Sequence, residues 1–341
     1  MKGLTSEERI LRTLKREDVD RVPTFEWLID KKVMNAIKPG ITYEEFCYEY
    51  DQDAICIDCD YTSERIEDDK IRDEWGMIKK DSGQAHTFPI DGPIRTMKDF
   101  ENYVPPDPHV PERFRSIERA VELHSGKKAL ILHLNDVFSI PSRMMPFDHF
   151  MILLMDEPET VSALIDMSVD INLQLAEEAV KRGIKIIYTG DDYAYNSGPM
   201  VSPSQFEELF FPGLKRVMQG YKDLGLLILK HTDGNIMPIL DMIIESGIDC
   251  LDPIDPMAGM DLAYMKQTYG EKLVLKGNVD CAHTLTFKGV KETVAETKKC
   301  LEIGMNGGNY IISSSNSIHS EVKPENFLAM LDTIKQFGVY G

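Results

Sequence analysis

The sequence predicts an α/β fold, a (β/α)8 TIM barrel. Apolar runs of strand length recur along the whole chain, and amphipathic segments of helical period separate them. Almost every residue in each run is apolar, the pattern of parallel strands buried on both faces. An open doubly wound sheet would normally show a Gly-rich phosphate turn after an early strand. Neither G-x-G-x-x-G nor G-x-x-x-x-G-K-[ST] occurs.

The strands are expected in order at 22–27, 54–59, 129–134, 185–189, 226–231, 248–251, 273–276 and 310–313. Helical periodicity falls between them at 112–124, 158–182, 203–224, 236–246, 262–269 and 290–303. Two stretches break the beat. The charged segment 63–111, with Pro89, Pro93, Pro105, Pro106, Pro108 and Pro111, reads as an excursion of loops and short strands over the barrel. The segment 141–150, with Met144, Met145 and Phe147, reads as an apolar loop near the mouth. Neither has linker composition and no internal repeat interrupts them, so residues 1–341 are expected to form one domain.

The chain has 341 residues, with 38 Lys+Arg against 57 Asp+Glu and a formal net charge of −19. That balance argues against a nucleic-acid partner, because such affinity rests on neutralising phosphates. No run of about 18 apolar residues occurs, so no membrane span is expected. The N-terminus turns acidic at Glu7-Glu8 before any apolar core forms, which argues against a secretory signal. The six cysteines, Cys47, Cys56, Cys59, Cys250, Cys281 and Cys300, are scattered, so a disulfide framework is not expected and a reducing cytoplasm is. Cys56 and Cys59 form a C-x-x-C, but strand alternation puts them on opposite faces.

In such a barrel the chemistry sits where strands end and the following loops begin. Those positions hold Glu26, Asp58, Asp60, His133, Asn135 and Asp136, then Asp191, Asp192, His231, Asp233, Asp252, Asp255, Asn278 and Asp280. Asp and Asn also cap helices that follow strands, and Asp252-Pro253 and Asp255-Pro256 suit that plainer role. His231 is different. Lys230-His231-Thr232-Asp233-Gly234 gathers an imidazole, a carboxylate and a glycine at one strand end. His86, His109 and His124 fall in the excursion or on a surface helix and are expected in solvent.

Three stretches resemble the uroporphyrinogen decarboxylase superfamily. They are Glu8-Arg9-Ile10 with Asp20-Arg21-Val22-Pro23; Gly190-Asp191-Asp192-Tyr193 with Ser202-Pro203, Phe206 and Phe211-Pro212; and His231-Thr232-Asp233-Gly234-Asn235 with Gly247-Ile248-Asp249, Gly277-Asn278-Val279-Asp280 and Gly308-Asn309-Tyr310-Ile311. The resemblance implies a (β/α)8 barrel, in agreement with the strand count. The superfamily's decarboxylases hold an acidic tetrapyrrole with arginines at the first strand end. Here residues 22–29 contain none, and an acidic rim repels a polyanion. Asp60 falls near that branch's catalytic aspartate.

The other branch contains cobamide-dependent methyltransferases. Its coenzyme M members bind zinc through His-x-Cys after one strand and a further Cys after the last. His231 matches that histidine, Asp233 stands where the first Cys would be, and Asn316 lies about where the last would fall. The resemblance therefore implies a corrinoid-dependent methyltransferase that moves a methyl group between a small methoxy-type donor and a corrinoid carried by a partner protein.

In that reading His231 is a metal ligand or electrophile, Asp191 and Asp192 orient the substrate, and Asp60 is an acid or base. Trp27, Glu26, Tyr193, Met144, Phe147 and Asn278 would meet the substrate. A mixed set could hold a zinc ion there: His231, Asp233 or Asp252, Cys281, and Glu321 or His319. Two alternatives stand beside it: a uroporphyrinogen decarboxylase, and a non-catalytic barrel used as a binding subunit. A rim crowded with titratable groups favours a working site.

Overall fold

The computed structural model describes residues 3–81 and 89–340. Seven parallel strands form one curled sheet in chain order: β1 (Ala54–Ile57), β2 (Ala129–Leu134), β3 (Ile186–Gly190), β4 (Leu227–His231), β5 (Cys250–Asp252), β6 (Val274–Val279) and β7 (Tyr310–Ser314). Register is continuous across it, with Ile131 opposite Ile186, Leu229 opposite Cys250, and Lys276 opposite Ile311. The helices Arg115–His124, Pro158–Lys181, Phe211–Asp223, Leu240–Glu245, Leu262–Tyr269 and Val290–Gly304 fall between successive strands, as parallel connections require.

The expected first strand, 22–27, forms no ladder. Pro23 has no N–H to give, and side chains take the donors of Thr24 and Glu26. Thr24 N donates to Asp53 Oδ2 at 3.0 Å and Glu26 N to Gln52 Oε1 at 2.8 Å. What remains is one parallel bridge, Thr24 to Ile312, with Ile312 N donating to Pro23 O at 3.0 Å and Asp53 N to Thr24 O at 2.7 Å. The segment thus lies between β7 and β1.

Two apolar layers follow from strand alternation. Inward side chains, among them Phe25, Ala54, Ile131, Tyr188, Leu229, Cys250, Val274 and Ile311, pack on one another inside the curl. The first helix, Ser6–Leu14, adds Ile10 and Leu14 to this inner layer, each burial worth about 1.5–3 kcal/mol. Thr5 and Glu8 cap that helix reciprocally. Arg9 pins it, with Nη1 2.6 Å from Asp53 and Nε 2.7 Å from Asp20. Outward side chains of the strands meet the helices in the larger outer core.

Cys56 packs against the inner layer and Cys59 in the outer core, the opposite faces expected of them. The excursion contains a four-stranded antiparallel sheet, Ser63–Glu67, Lys70–Asp73, Ile78–Lys80 and Pro89–Asp91. His86 lies outside the described residues. His109 is exposed as expected, but His124 is not: it is buried, with Nδ1 3.1 Å from the Tyr48 hydroxyl. Among the described residues, no helix is long and apolar enough to cross a membrane.

Candidate active site

Two residues beyond each inner-layer position, the same strand face reaches the C-terminal mouth. That parity carries Phe25 to Trp27, Ile131 to His133, Tyr188 to Gly190, Leu229 to His231, Cys250 to Asp252 and Val274 to Lys276. His231 stands in register with Gly190 on one side and Asp252 on the other. The Trp27 indole lies 4.9 Å from His133, 5.4 Å from Tyr188 and 5.8 Å from His231, centroid to centroid. Tyr188 and His231 stack at 5.6 Å. An aromatic wall therefore faces the imidazole of His231.

Asp252 organises the floor. Its Oδ2 lies 3.0 Å from His231 Nδ1 and also accepts from the Tyr188 hydroxyl, while Lys276 Nζ donates to Oδ1 at 2.7 Å. Burial alone would raise the Asp252 pKa, but Lys276 and His231 outweigh it and hold the carboxyl well below the usual range. With Nδ1 turned to Asp252, His231 presents Nε2 to the mouth.

There Nε2 meets two more carboxylates, Asp192 Oδ1 at 3.5 Å and Asp233 Oδ1 at 3.6 Å. Burial acts to lower the His231 pKa, yet Asp233, Asp252 and Asp192 together raise it to about 9. Burial pushes Asp233 up to about 7. Asp233 Oδ1 is buried without a hydrogen-bond partner, while Asn316 Nδ2 holds the other oxygen at 2.5 Å. The ligand atoms of Asp192, His231 and Asp233 lie within 4.8 Å of one another. An imidazole nitrogen and two carboxylates, one with an unsatisfied buried oxygen, fit a divalent cation.

Glu26, only 2 % exposed and under the charge of Lys276 and Asp252, accepts from Ser314 N at 2.8 Å and Ser314 Oγ at 2.6 Å. Burial raises it to about 7 against the pull of Lys276. His133 carries its own carboxylate, Asp58 Oδ1, at 2.8 Å from Nδ1.

Several expected site residues lie elsewhere, each for a local reason. Asp60 is exposed and accepts from Ser116 N at 2.8 Å and Ser116 Oγ at 2.6 Å, so it serves the first turn of helix Arg115–His124. Asp191 is fully buried and accepts from the backbone N–H groups of Asp136, Phe138 and Ser139 at 3.2, 2.6 and 2.9 Å. It fixes the loop after β2.

Tyr193 is likewise buried, donating to Asp136 Oδ1 under the Lys230 ammonium. Met144 is buried, its carbonyl accepting from Ile94 N at 3.1 Å. Phe147 is exposed and pairs with Phe150. Asn278 Nδ2 donates to Ile254 O at 2.7 Å, which holds it against the loop after β5.

Of the expected metal set, His231 and Asp233 stand together, and Cys281 and Glu321 lie outside that cluster. Cys281 is buried beside Ser315 Oγ at 3.5 Å, and burial pushes its thiol up to about 12. Glu321 is exposed and ion-paired to Lys32 at 3.1 Å. Asp192, expected to touch substrate, is the residue that joins His231 and Asp233. Tyr188 and Lys276 were absent from the expected set because they sit inside apolar runs. Their parity with His231 is the signal that finds them.

A uroporphyrinogen decarboxylase (URO-D) family profile matches residues 83–337. Among curated relatives, the chain is 23 % identical to the methylcobamide:CoM methyltransferase MtbA of Methanosarcina acetivorans, over 99 % of both chains. It is 22 % identical to a uroporphyrinogen decarboxylase of Psychromonas ingrahamii, over 72 % of this chain and 70 % of that one. Among solved structures, a methyltransferase from Methanosarcina mazei superposes with a TM-score of 0.71 at 18 % identity, covering 98 % of this chain and 99 % of that one. The match spans well over half of the 341 residues, and the fold is shared from end to end: the chain belongs to the uroporphyrinogen decarboxylase (URO-D) family.

Proposed function

We propose that this protein is a corrinoid-dependent methyltransferase, moving a methyl group between a small methoxy-type donor and a corrinoid carried by a partner protein in the cytoplasm. The observation that carries the reading is the trio Asp192, His231 and Asp233 facing the aromatic wall of Trp27 and Tyr188. Full-length similarity to a methylcobamide methyltransferase supports it. The chain acts as one domain, with residues 22–27 as the eighth stave of a (β/α)8 barrel between β7 and β1.

A zinc ion held by His231 Nε2, Asp192 and Asp233 would polarise the donor oxygen as a Lewis acid. The chain's own groups do the rest. Asp252, held by Lys276 and Tyr188, keeps Nδ1 engaged and Nε2 facing the mouth. Trp27, backed by the buried Tyr188 ring, offers a flat apolar surface to an aromatic donor and excludes water from the reacting carbon.

Tetrapyrrole decarboxylation, the activity in the names of several relatives, asks for fixed cations around the substrate's carboxylates. This mouth supplies carboxylates: Glu26, Asp58, Asp192, Asp233 and Asp252, with Lys276 already committed to Asp252. The test is anaerobic incubation of the zinc-loaded protein with a methoxylated aromatic and cob(I)alamin, following methylcobalamin by absorbance. Formation of methylcobalamin, with no coproporphyrinogen from uroporphyrinogen, is expected. Decarboxylation at about 1 per second without methyl transfer would overturn the reading, and inactivity in both assays would favour the non-catalytic barrel.

A further inference from the structure

The end of the barrel opposite the mouth carries a cavity of about 520 Å³. Its walls are the C-terminal ends of the helices Leu262–Tyr269 and Val290–Gly304 and the turns that lead from them into β6 and β7. Gln267, Glu271, Glu302 and Asn306 are exposed on its rim, so the cavity opens to solvent.

Lys266 lies half-buried in this wall with its stem against Gly270, where a side-chain carbon would stand 2.9 Å from Lys266 Cδ. Its Nζ donates to Gly308 O, the single hydrogen-bond partner of this amine among the described residues. Asn309 Nδ2 fastens the same loop to Gly270 O at 3.0 Å, so the turn that holds the amine is itself held. The other N–H directions of the ammonium remain for the cavity.

Burial lowers the Lys266 ammonium to about 8, and no carboxylate pulls it back up. Glu271 and Glu302 are the other ionisable groups on the walls, and residues 306–309 bring none. A desolvated lysine without a counter-charge carries an appreciable neutral fraction near pH 7, and the neutral amine is the nucleophile.

We infer that Lys266 is an acylation site that takes a short uncharged acyl group, such as acetyl, from an acyl phosphate or an acyl thioester. The inference is independent of the methyltransferase reading. The Nζ lone pair attacks the acyl carbon and forms the amide bond. The bond from that carbon to phosphate oxygen or to sulfur breaks, and its electron pair leaves with the oxygen or sulfur. The proton lost from nitrogen ends on the departing phosphate or thiolate. The amide keeps one N–H for Gly308 O, so the tether survives the reaction. Gln267 and Asn306 bring amide donors to the walls for the new carbonyl oxygen. A succinyl group would instead carry its carboxylate towards Glu271 and Glu302, where like charge opposes it.

The test treats the full wild-type chain with acetyl phosphate, acetyl-CoA and succinyl-CoA, and follows each lysine by peptide mass spectrometry. Exposed Lys98 and Lys215 serve as internal references. At pH 7 Lys266 should be acetylated about 10-fold faster than either reference, and the advantage should vanish by about pH 10, where the references also lose their protons. Transfer from one acetyl donor alone would support the site and name that donor's class as the source. Equal rates at Lys266 and the references at pH 7 would overturn the inference. Succinylation of Lys266 should be about 10-fold slower than acetylation and should recover in the double variant Glu271→Gln, Glu302→Gln. Succinylation of the wild type as fast as acetylation would overturn the assignment of an uncharged acyl group.

Discussion

His231 is fixed by Asp252: Nδ1 and Oδ2 lie 3.0 Å apart, in register on neighbouring strands β4 and β5. The contact sets which ring nitrogen faces the mouth. Lys276 and Tyr188 in turn hold Asp252, so a fully buried cation and a buried phenol act on the rim through one carboxylate.

Asp252→Asn should therefore weaken zinc binding by about 10- to 100-fold without removing a ligand. It should also destabilise the protein by about 3–5 kcal/mol, because Lys276 is left buried without its counter-charge. Competitive zinc titration and urea unfolding read the two effects separately. Unchanged zinc affinity would mean that Asp252 does not orient the imidazole.

Ligand substitutions should separate the trio from its neighbours. His231→Ala and Asp233→Ala should each lower zinc affinity by more than about 100-fold with little change in circular dichroism. Cys281→Ser should leave zinc content unchanged, since that thiol faces Ser315. Elemental analysis after dialysis decides it, and zinc loss in the Cys281 variant would refute the ligand set.

Glu26 predicts a pH effect on stability. Its carboxyl is raised from 4.5 to about 7 in the folded chain, so between those values the folded state binds more protons than the unfolded one. Stability then falls as pH rises through that window, by up to about 3 kcal/mol. Glu26→Gln should flatten this slope, as measured by urea unfolding at pH 5, 6 and 7. A parallel pH dependence in variant and wild type would show that Glu26 is not the source.

Asp20 predicts the opposite sign at acid pH. Arg9 and backbone donors hold its carboxyl down at about 2, from an ordinary value of 3.8. The stabilisation is complete above pH 4 and is lost as pH falls towards 2, about 2 kcal/mol in all. The first helix, which buries Ile10 and Leu14 in the inner layer, should be the element released. Asp20→Asn should remove the acid-dependent loss, and hydrogen exchange in residues 6–14 would locate it.

The strand order was legible because parallel strands buried on both faces advertise themselves as apolar runs, and seven of the eight expected runs are ladder strands. The eighth, 22–27, looks the same in sequence but has its amide donors taken by Gln52 and Asp53, a tertiary fact. His231, Asp192, Asp233, Glu26 and Trp27 were legible as polar or aromatic residues at strand ends. Asp60 and Asp191 carry the same signature, yet one serves a helix turn and the other a buried loop. Nothing local separates a capping aspartate from a catalytic one. Asp252 reads equally as a turn former or a ligand for the same reason, while Tyr188 and Lys276 vanish into apolar runs until register aligns them with His231.

The side-chain fastening of 22–27 makes one flank of the mouth a pinned stave rather than a woven wall. Trp27, which covers both imidazoles, rides on a stretch anchored by Asp53 and Gln52 instead of a continuous ladder. Fewer ladder hydrogen bonds hold that flank than hold β3 or β4. Amide protons of Thr24 and Glu26 should accordingly exchange faster than those of β3 and β4, and Gln52→Ala should widen the difference.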